Sequence, residues 1–180
     1  MNIFIQILWF LLPAAAANMN AALSAKLFPR WRLPIDFYHT FNGRRIFGNH
    51  KTVRGILFGL TASVVVFAIE RELFYSYVSI RSLSIVDYSH MTLAFGFALG
   101  VGGLGGDLAR SFLKRQLGIA PGKPWVPFDQ VDWILGALFA SLIFVKLSLS
   151  FFLASLVIGF FVHMIIKIIG RLLKVDNAWL

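Results

Sequence analysis

The chain has 180 residues, of which 58% are hydrophobic and 14% charged, with a mean hydropathy of +0.77. Soluble domains carry roughly 45–50% apolar and about 25% charged residues, so the composition excludes a soluble protein and indicates a membrane protein with one domain, residues 1–180. The lack of cysteine excludes disulfides and zinc–thiolate sites. The net charge of +9 is attributed to membrane orientation and anionic headgroups, not to a nucleic-acid partner.

Five apolar stretches are long enough, with their flanks, to cross a bilayer, which takes about 20 residues. The predicted fold is an all-α polytopic membrane protein of about five transmembrane helices, at residues 3–23, 53–71, 90–106, 131–146 and 149–169. Pro13 predicts a kink or a break in the first helix. The glycine cluster at 102–106 predicts local unwinding at the end of the third helix. The first helix is expected to remain uncleaved, since no positively charged segment precedes it.

The distribution of basic residues predicts the orientation. Loop one (24–54) holds seven of the 17 lysines and arginines and loop three (107–130) holds four, whereas the second loop holds two. Because positive residues mark the cytoplasmic side, loops one and three and the C-terminus are predicted to be cytoplasmic, with the N-terminus outside. The two loops with the most polar motifs therefore face the same compartment, where both can contribute to one site.

Loop three begins with acids and bases at helical spacing. If the third helix continues from Asp107, then Arg110, Ser111 and Lys114 follow at i+3, i+4 and i+7 and share one face. This pattern places a carboxylate, a hydroxyl and two cations in a row, flanked by Arg115. Such a row at a membrane boundary predicts a site that binds metal and phosphate.

Asp129 and Asp132 follow a segment rich in proline and glycine, three residues apart at the start of the fourth helix. Carboxylates that approach each other need a cation between them. Mg²⁺ is the natural candidate, because it takes oxygen ligands and shares them with substrate phosphates. The alternative is that both acids only cap the helix and offset its dipole. Their combination with Asp107 and the nearby cations favours the metal site.

Loop one contains the run NGRRIFGNHKTVRG at 42–55, which combines glycines, cations and a hydroxyl. Glycines let backbone amides approach an anion, so the run predicts a phosphate-binding segment. The candidate ligands are Arg44, Arg45, Lys51, Thr52 and Arg54. The run is not a P-loop, because two residues separate its second glycine from the lysine. The alternative is a basic loop that only contacts lipid headgroups.

In combination these motifs resemble the CDP-archaeol synthases, archaeal membrane cytidylyltransferases related to the CDP-diacylglycerol synthases. The matching segments are PID at 34–36, GRRIFGNHKTVRG at 43–55, GDLARSFLKR at 106–115 and PFDQVDWILGA at 127–137. The last two are similar to the S-x-x-K-R … D-x-x-D core of the wider phosphatidate cytidylyltransferases. Pro127 and Phe128 stand where the diacylglycerol enzymes usually have a His-Gly-Gly-rich lead-in, which favours the archaeal branch.

The resemblance implies a transferase of phospholipid biosynthesis in the cell membrane. With Mg²⁺, CTP and a digeranylgeranyl glycerol phosphate would give CDP-archaeol and pyrophosphate at a site that faces the cytoplasm. The hypothesis assigns the metal to Asp107, Asp129 and Asp132. It assigns catalysis to these acids and Lys114. It assigns phosphate binding to Arg44, Arg45, Lys51, Thr52, Arg54, Ser111, Lys114 and Arg115.

Three other interpretations remain open from the sequence. The first is the same chemistry on ester-linked diacylglycerol phosphate, because the sequence of the spans indicates neither the length of the lipid chains nor their linkage. A small anion transporter is another, although the span centres are nearly free of charge and show no inverted repeat. A structural membrane subunit without CTP or Mg²⁺ binding is the third.

Overall fold

The computed structural model describes residues 3–120 and 122–172, which are mostly helical. The long helices are α1 (Ile3–Leu27), α2 (Val53–Ser76), α4 (Leu93–Gln116), α5 (Phe128–Ser141) and α6 (Leu149–Leu172). A four-residue helix α3 (Val78–Arg81) and a 3₁₀ turn (Tyr88–His90) lie between α2 and α4. The predicted cytoplasmic position of the C-terminus rests on Lys167, Arg171 and Lys174, whose side chains lie outside the described part of the structure. Pro121 also lies outside it.

The all-α membrane class is confirmed, and a helix overlaps each of the five apolar stretches. Helix α5, however, has 14 residues and ends at Ser141, five residues before the predicted end of the fourth span. By length and composition alone, α1 and α2 suffice to cross a membrane. The number of crossings and their orientation stay predictions. Pro13 is buried inside α1, which continues to Leu27, so the predicted break does not occur. Helix α4 extends ten residues beyond the predicted end of the third span, into loop three.

The predicted unwinding of the glycine cluster was wrong, because α4 passes through it as a continuous helix. The glycines instead bring the backbones of α4 and α5 into contact. A Cβ atom at Gly102 would overlap the carbonyl of Gly136, and a Cβ atom at Gly106 would overlap the carbonyl of Asp132. Small residues permit such close approach between membrane helices. The contact fixes the position of Asp107 on α4 relative to Asp132 on α5.

Replacing Gly106 by valine is expected to push α4 and α5 apart, since the new side chain would overlap the backbone of Asp132. We expect the Tm of the purified protein to fall by roughly 5 °C or more. Gly105→Ala is the matched control, because a Cβ atom at Gly105 meets nothing within 4 Å. Equal Tm values for the two variants would contradict the backbone contact.

An aromatic core fills the half of the bundle that lies away from loops one and three. The ring of Phe95 is 6.0 Å from that of Phe10 and 5.3 Å from that of Phe67, both edge to face. Phe10 also meets Phe151 of α6 edge to face at 5.5 Å. The fully buried rings of Phe10, Phe67 and Phe95 come from the first half of α1, the second half of α2 and the start of α4. The opposite ends of these helices therefore remain for the charged residues.

Loop one contains a small hairpin that the sequence analysis did not predict. Strands β1 (Thr40–Phe41) and β2 (Arg44–Arg45) pair antiparallel. Asn42 and Gly43 between them have φ angles of 49° and 72°, in the left-handed region. Asn-Gly is the preferred dipeptide for such a two-residue turn, so this signal was present in the sequence.

Candidate active site

Arg110 lies at the centre of three carboxylates near the end of α4 and the start of α5. Its Nη1 atom is 2.6 Å from Asp129 Oδ1 and its Nε atom is 2.8 Å from Asp132 Oδ2. Its Nη2 atom donates a hydrogen bond to Asp107 Oδ1. The structure therefore brings the three predicted metal ligands together, but around a guanidinium group.

Helix α4 continues to Gln116, so the predicted row of polar residues does lie on a helix. Lys114 Nζ donates to both carboxylate oxygens of Asp129, at 3.1 and 3.0 Å, and to the carbonyl of Lys123 at 2.5 Å. The Ser111 hydroxyl donates to the carbonyl of Asp107 at 2.8 Å, one turn earlier in the helix. Lys114 therefore contacts the carboxylate cluster directly, whereas the hydrogen bond described for Ser111 is internal to α4.

Asp129 is held in its ionised form by its surroundings. Burial raises the pKa of this carboxyl group, but hydrogen bonds from the Trp125 amide, Lys114 and Arg110 outweigh that effect. The Trp125 amide donates to Asp129 Oδ2 at 2.7 Å. The net pKa lies below the usual value for aspartate, so Asp129 carries its charge at neutral pH.

Loop one reaches this cluster through Lys51, whose Nζ atom donates to Asp107 Oδ2. Arg44 donates to the carbonyl of Gln116 at the end of α4. The rings of Phe41 and Phe112 are 5.9 Å apart. Loop one therefore packs on the last turns of α4, and the two predicted halves of the site meet.

Asp36 organises loop one, a role that the sequence analysis did not assign. Its side chain is buried and accepts hydrogen bonds from Arg45 Nη2 at 2.6 Å, the Phe47 amide at 3.0 Å and the Gly48 amide at 3.1 Å. Burial raises the pKa of this carboxyl group, but Arg45 and the backbone donors lower it from 3.8 to about 2. Arg45 also donates to Asn49 at 2.7 Å. One carboxylate thus fixes the chain from 36 to 49.

The lowered pKa of Asp36 predicts a pH dependence of stability. Because the folded-state pKa lies below the unfolded value, the ionised group stabilises the fold above about pH 4, and this contribution is lost between about pH 4 and pH 2. The shift corresponds to about 2 kcal/mol at neutral pH. Asp36→Asn should lower the Tm at pH 7, and its difference from wild type should shrink towards pH 3. Glu72→Gln, which removes an exposed carboxylate, is the control; a Tm difference that does not change with pH would contradict the prediction.

Arg54 and Thr52, two of the predicted phosphate ligands, have contacts within the scaffold. Arg54 is only 5% exposed and donates to Ser24 Oγ at 3.2 Å and to the Phe28 carbonyl at 2.5 Å. Thr52 caps α2, since its hydroxyl oxygen accepts from the Gly55 amide at 3.1 Å. Their roles in phosphate binding, like those of Arg45 and Arg115, stay predictions.

The predicted metal site would need a rearrangement of these ion pairs. Among residues 3–120 and 122–172, no group of three Asp, Glu or His side chains is arranged to hold a metal ion. The donor chemistry nevertheless fits Mg²⁺, which prefers carboxylate oxygens. The buried Asp132 Oδ2 lies 2.8 Å from Arg110 Nε, but the angle does not give a hydrogen bond. This oxygen is therefore left to accept another ligand if Arg110 turns away.

The fold and the site together define a helical membrane enzyme. A family model described as CarS-like CDP-archaeol synthase matches residues 1–180, and the chain belongs to this family. It is 33% identical to a CDP-archaeol synthase of Methanocaldococcus jannaschii, covering 96% of this chain and 94% of that protein. It is 38% identical to the Pyrococcus furiosus CDP-archaeol synthase over 141 residues, covering 77% and 75%.

A solved structure shares the fold. It superposes with a TM-score of 0.70 at 28% sequence identity and covers 89% of this chain and 92% of its own. That structure is described as an intramembrane enzyme for archaeal membrane lipids biosynthesis. The family resemblance inferred from the sequence motifs is confirmed.

Proposed function

We propose that this protein transfers a cytidylyl group from CTP to the phosphate of a digeranylgeranyl glycerol phosphate, giving CDP-archaeol and pyrophosphate. Membership of the family supports the reaction. The observation that supports the site is the convergence of three acids and three cations from both loops. These residues are Lys51, Asp107, Arg110, Lys114, Asp129 and Asp132.

The chemistry demands little acid–base catalysis from the protein. An oxygen of the lipid phosphate attacks the α-phosphorus of CTP, and the bond from this phosphorus to the bridging β-phosphate oxygen breaks. The electron pair leaves with pyrophosphate. The nucleophile already carries negative charge, so positioning and charge compensation supply the rate enhancement. The proposed phosphate ligands are Lys51 from loop one and Arg110, Lys114 and Arg115 from α4.

The charge balance of the cluster suggests how the substrate is admitted. Three carboxylates face three cations, so their formal charges balance when all three acids are ionised. A triphosphate offers Lys51 and Arg110 a more highly charged partner than a carboxylate does. Their transfer to phosphate would release oxygens of Asp107, Asp129 and Asp132. A Mg²⁺ ion held by these oxygens would offset charge on the α-phosphate.

The proposed topology has five membrane crossings, with the N-terminus outside and the site facing the cytoplasm. The end of α4 and the start of α5 hold the carboxylate cluster, and Lys51 lies just before α2. This arrangement supports a site at one membrane surface, in a single catalytic domain of residues 1–180. The positive charge of loops one and three supports the cytoplasmic side.

The function is tested with purified protein in lipid nanodiscs and labelled CTP. Ether-linked prenyl glycerol phosphate should yield labelled CDP-lipid, and EDTA should stop the reaction until Mg²⁺ is restored. A diacylglycerol phosphate is the parallel substrate. A preference for the ester lipid would show that diacylglycerol phosphate, and not the ether lipid, is the substrate. If neither substrate yields a labelled lipid, the proposed reaction is wrong.

A further inference from the structure

Glu70 is an acidic residue buried in the aromatic half of the bundle. It lies on α2 three residues after Phe67 and four residues before Phe74, so the three side chains share one face of the helix. The residue is only 2% exposed. Neither oxygen of its carboxyl group has a hydrogen-bond partner among residues 3–120 and 122–172. A buried charge is costly unless another group compensates it, so this carboxyl group needs a partner.

Tyr88, in the 3₁₀ turn before α4, lies against the same face of α2. Its ring centre is 5.2 Å from that of Phe67 and 5.7 Å from that of Phe74, the two rings on either side of Glu70. Tyr88 is fully buried, and its hydroxyl group makes no well-formed hydrogen bond within the described part of the chain. Burial and the charge of Glu70 raise the pKa of this hydroxyl group, so the two polar groups are close enough to interact.

Ser84 adds a third oxygen-bearing side chain. It lowers the pKa of the Tyr88 hydroxyl group, which places the two hydroxyl groups next to each other. Ser84 Oγ donates its hydrogen to the Val86 carbonyl at 2.6 Å. The lone pairs of Ser84 Oγ therefore remain for another ligand. Glu70, Ser84 and Tyr88 together form the Glu70 cluster, which offers four side-chain oxygens.

The arginines at this end of α2 do not compensate Glu70. Arg71 donates to the Met91 carbonyl at 3.3 Å. Arg81 donates to two backbone carbonyls near the end of α2, each at 3.0 Å. The ion pairs found in the described part of the chain do not include Glu70. Within those residues, the Glu70 cluster therefore has four oxygens and no cation.

The chemistry of the Glu70 cluster indicates the kind of ion that it would hold. Carboxylate and hydroxyl oxygens suit hard cations, whereas zinc and other transition metals favour histidine or cysteine. A single carboxylate supplies one negative charge, which one monovalent ion neutralises. A divalent ion would leave a net positive charge among apolar rings, where an uncompensated charge is costly. A small monovalent cation therefore fits this cluster better than Mg²⁺ does.

We propose that Glu70, Ser84 and Tyr88 bind one Na⁺ ion. The bound ion joins the last turns of α2 to the segment that leads into α4. The ring of Tyr88 also packs on Phe95 of α4, at 6.2 Å between ring centres, so the ion stabilises the aromatic core at this end of the bundle. Because the ion binds only the folded protein, its binding raises the Tm.

The Glu70 cluster is separate from the candidate active site. Lys51 precedes the first residue of α2, Val53, whereas Glu70 lies near the opposite end of this helix. At 1.5 Å per residue, Glu70 is about 26 Å along the axis from Val53. Binding of Na⁺ can therefore be measured in EDTA without CTP or lipid phosphate, and its outcome does not depend on the proposed reaction.

The test follows the thermal unfolding of purified protein in nanodiscs of neutral lipid, at pH 7 with EDTA. Na⁺ is raised to about 300 mM while choline, which is too large for the cluster, is lowered to keep the ionic strength constant. The Tm of wild type should rise by about 5 °C. Glu70→Gln keeps the size of the side chain and removes its charge, so this variant should lose the rise. Glu72→Gln is the matched control, because Glu72 is exposed on the same helix, and it should keep the rise.

Tyr88→Phe gives a second test, since it removes one proposed ligand and keeps the ring. This variant should need about tenfold more Na⁺ for half of the Tm rise, and an unchanged requirement would show that Tyr88 is not a ligand. A wild-type Tm that is equal in Na⁺ and choline would overturn the site. A rise that Glu70→Gln retains would assign the effect of Na⁺ to another part of the protein or to the lipid. A wild-type Tm that changes with pH but not with Na⁺ would show that a proton neutralises Glu70.

Discussion

Replacing Asp129 by asparagine is expected to lower kcat by about 10²–10³-fold while the protein remains folded. Asp129 accepts from Lys114, Arg110 and the Trp125 amide, more donors than either other acid of the cluster has in the described contacts. Asparagine keeps the size of the side chain and removes its charge. Without that charge, Lys114 and Arg110 lose a common partner and Mg²⁺ loses a proposed ligand.

The measurement separates a metal-binding role from a purely structural one. If Asp129 binds Mg²⁺, the asparagine variant should need a higher Mg²⁺ concentration for half of its residual activity. Asp87→Asn is the control, because Asp87 lies in the loop between α2 and α4 and its oxygen accepts from the Ser89 amide, a bond that asparagine can keep. A variant at Asp129 with wild-type kcat would show that the assignment of metal and phosphate to this cluster is wrong.

The sequence predicted those parts of the fold that depend on local patterns. Hydropathy located the five main helices, because a membrane helix needs an apolar stretch, although it placed the end of α5 five residues too late. The spacing from Asp107 to Lys114 predicted a helical row, and α4 does continue through it. Charge counting predicted that loops one and three share one side, and contacts from Lys51 and Arg44 to α4 do bring them together; the cytoplasmic orientation stays a prediction. Each of these inferences uses residues that are close together in the chain.

The arrangement of the site depends on distant contacts, which the spacing of residues does not specify. Which cation neutralises Asp129 or Asp132 is decided by the packing of α4 against α5, at Gly106 and Gly136. Local sequence predicts unwinding at the glycine cluster, whereas the structure uses these glycines for close approach of α4 and α5. The burial of Asp36 likewise follows from the folding of loop one around it. By spacing alone Arg110 is one cation of several, whereas the structure gives it contacts with all three acids.

Lys51 is expected to have the second large effect on activity, since it connects the two loops. It lies outside α4 but donates to Asp107, and the two side chains are 25% and 18% exposed. Lys51→Met keeps much of the apolar length and removes the charge. We expect kcat/KM for CTP to fall about 100-fold or more, because one proposed phosphate ligand and the ion pair to Asp107 are both lost. Lys26→Met, at the exposed end of α1, is the control.

A double-mutant cycle with Asp107→Asn tests whether the two residues act together. If Lys51 leaves Asp107 to bind phosphate, and Asp107 then binds Mg²⁺, each single change disables the same step. The double variant should therefore lose little more activity than the worse single variant, as for residues that act as a unit. If the fold-losses of activity in the two single variants multiply in the double variant, Lys51 and Asp107 contribute to separate steps. In that case the ion pair between them would only hold loop one against α4, and its exchange for substrate would play no part in the reaction.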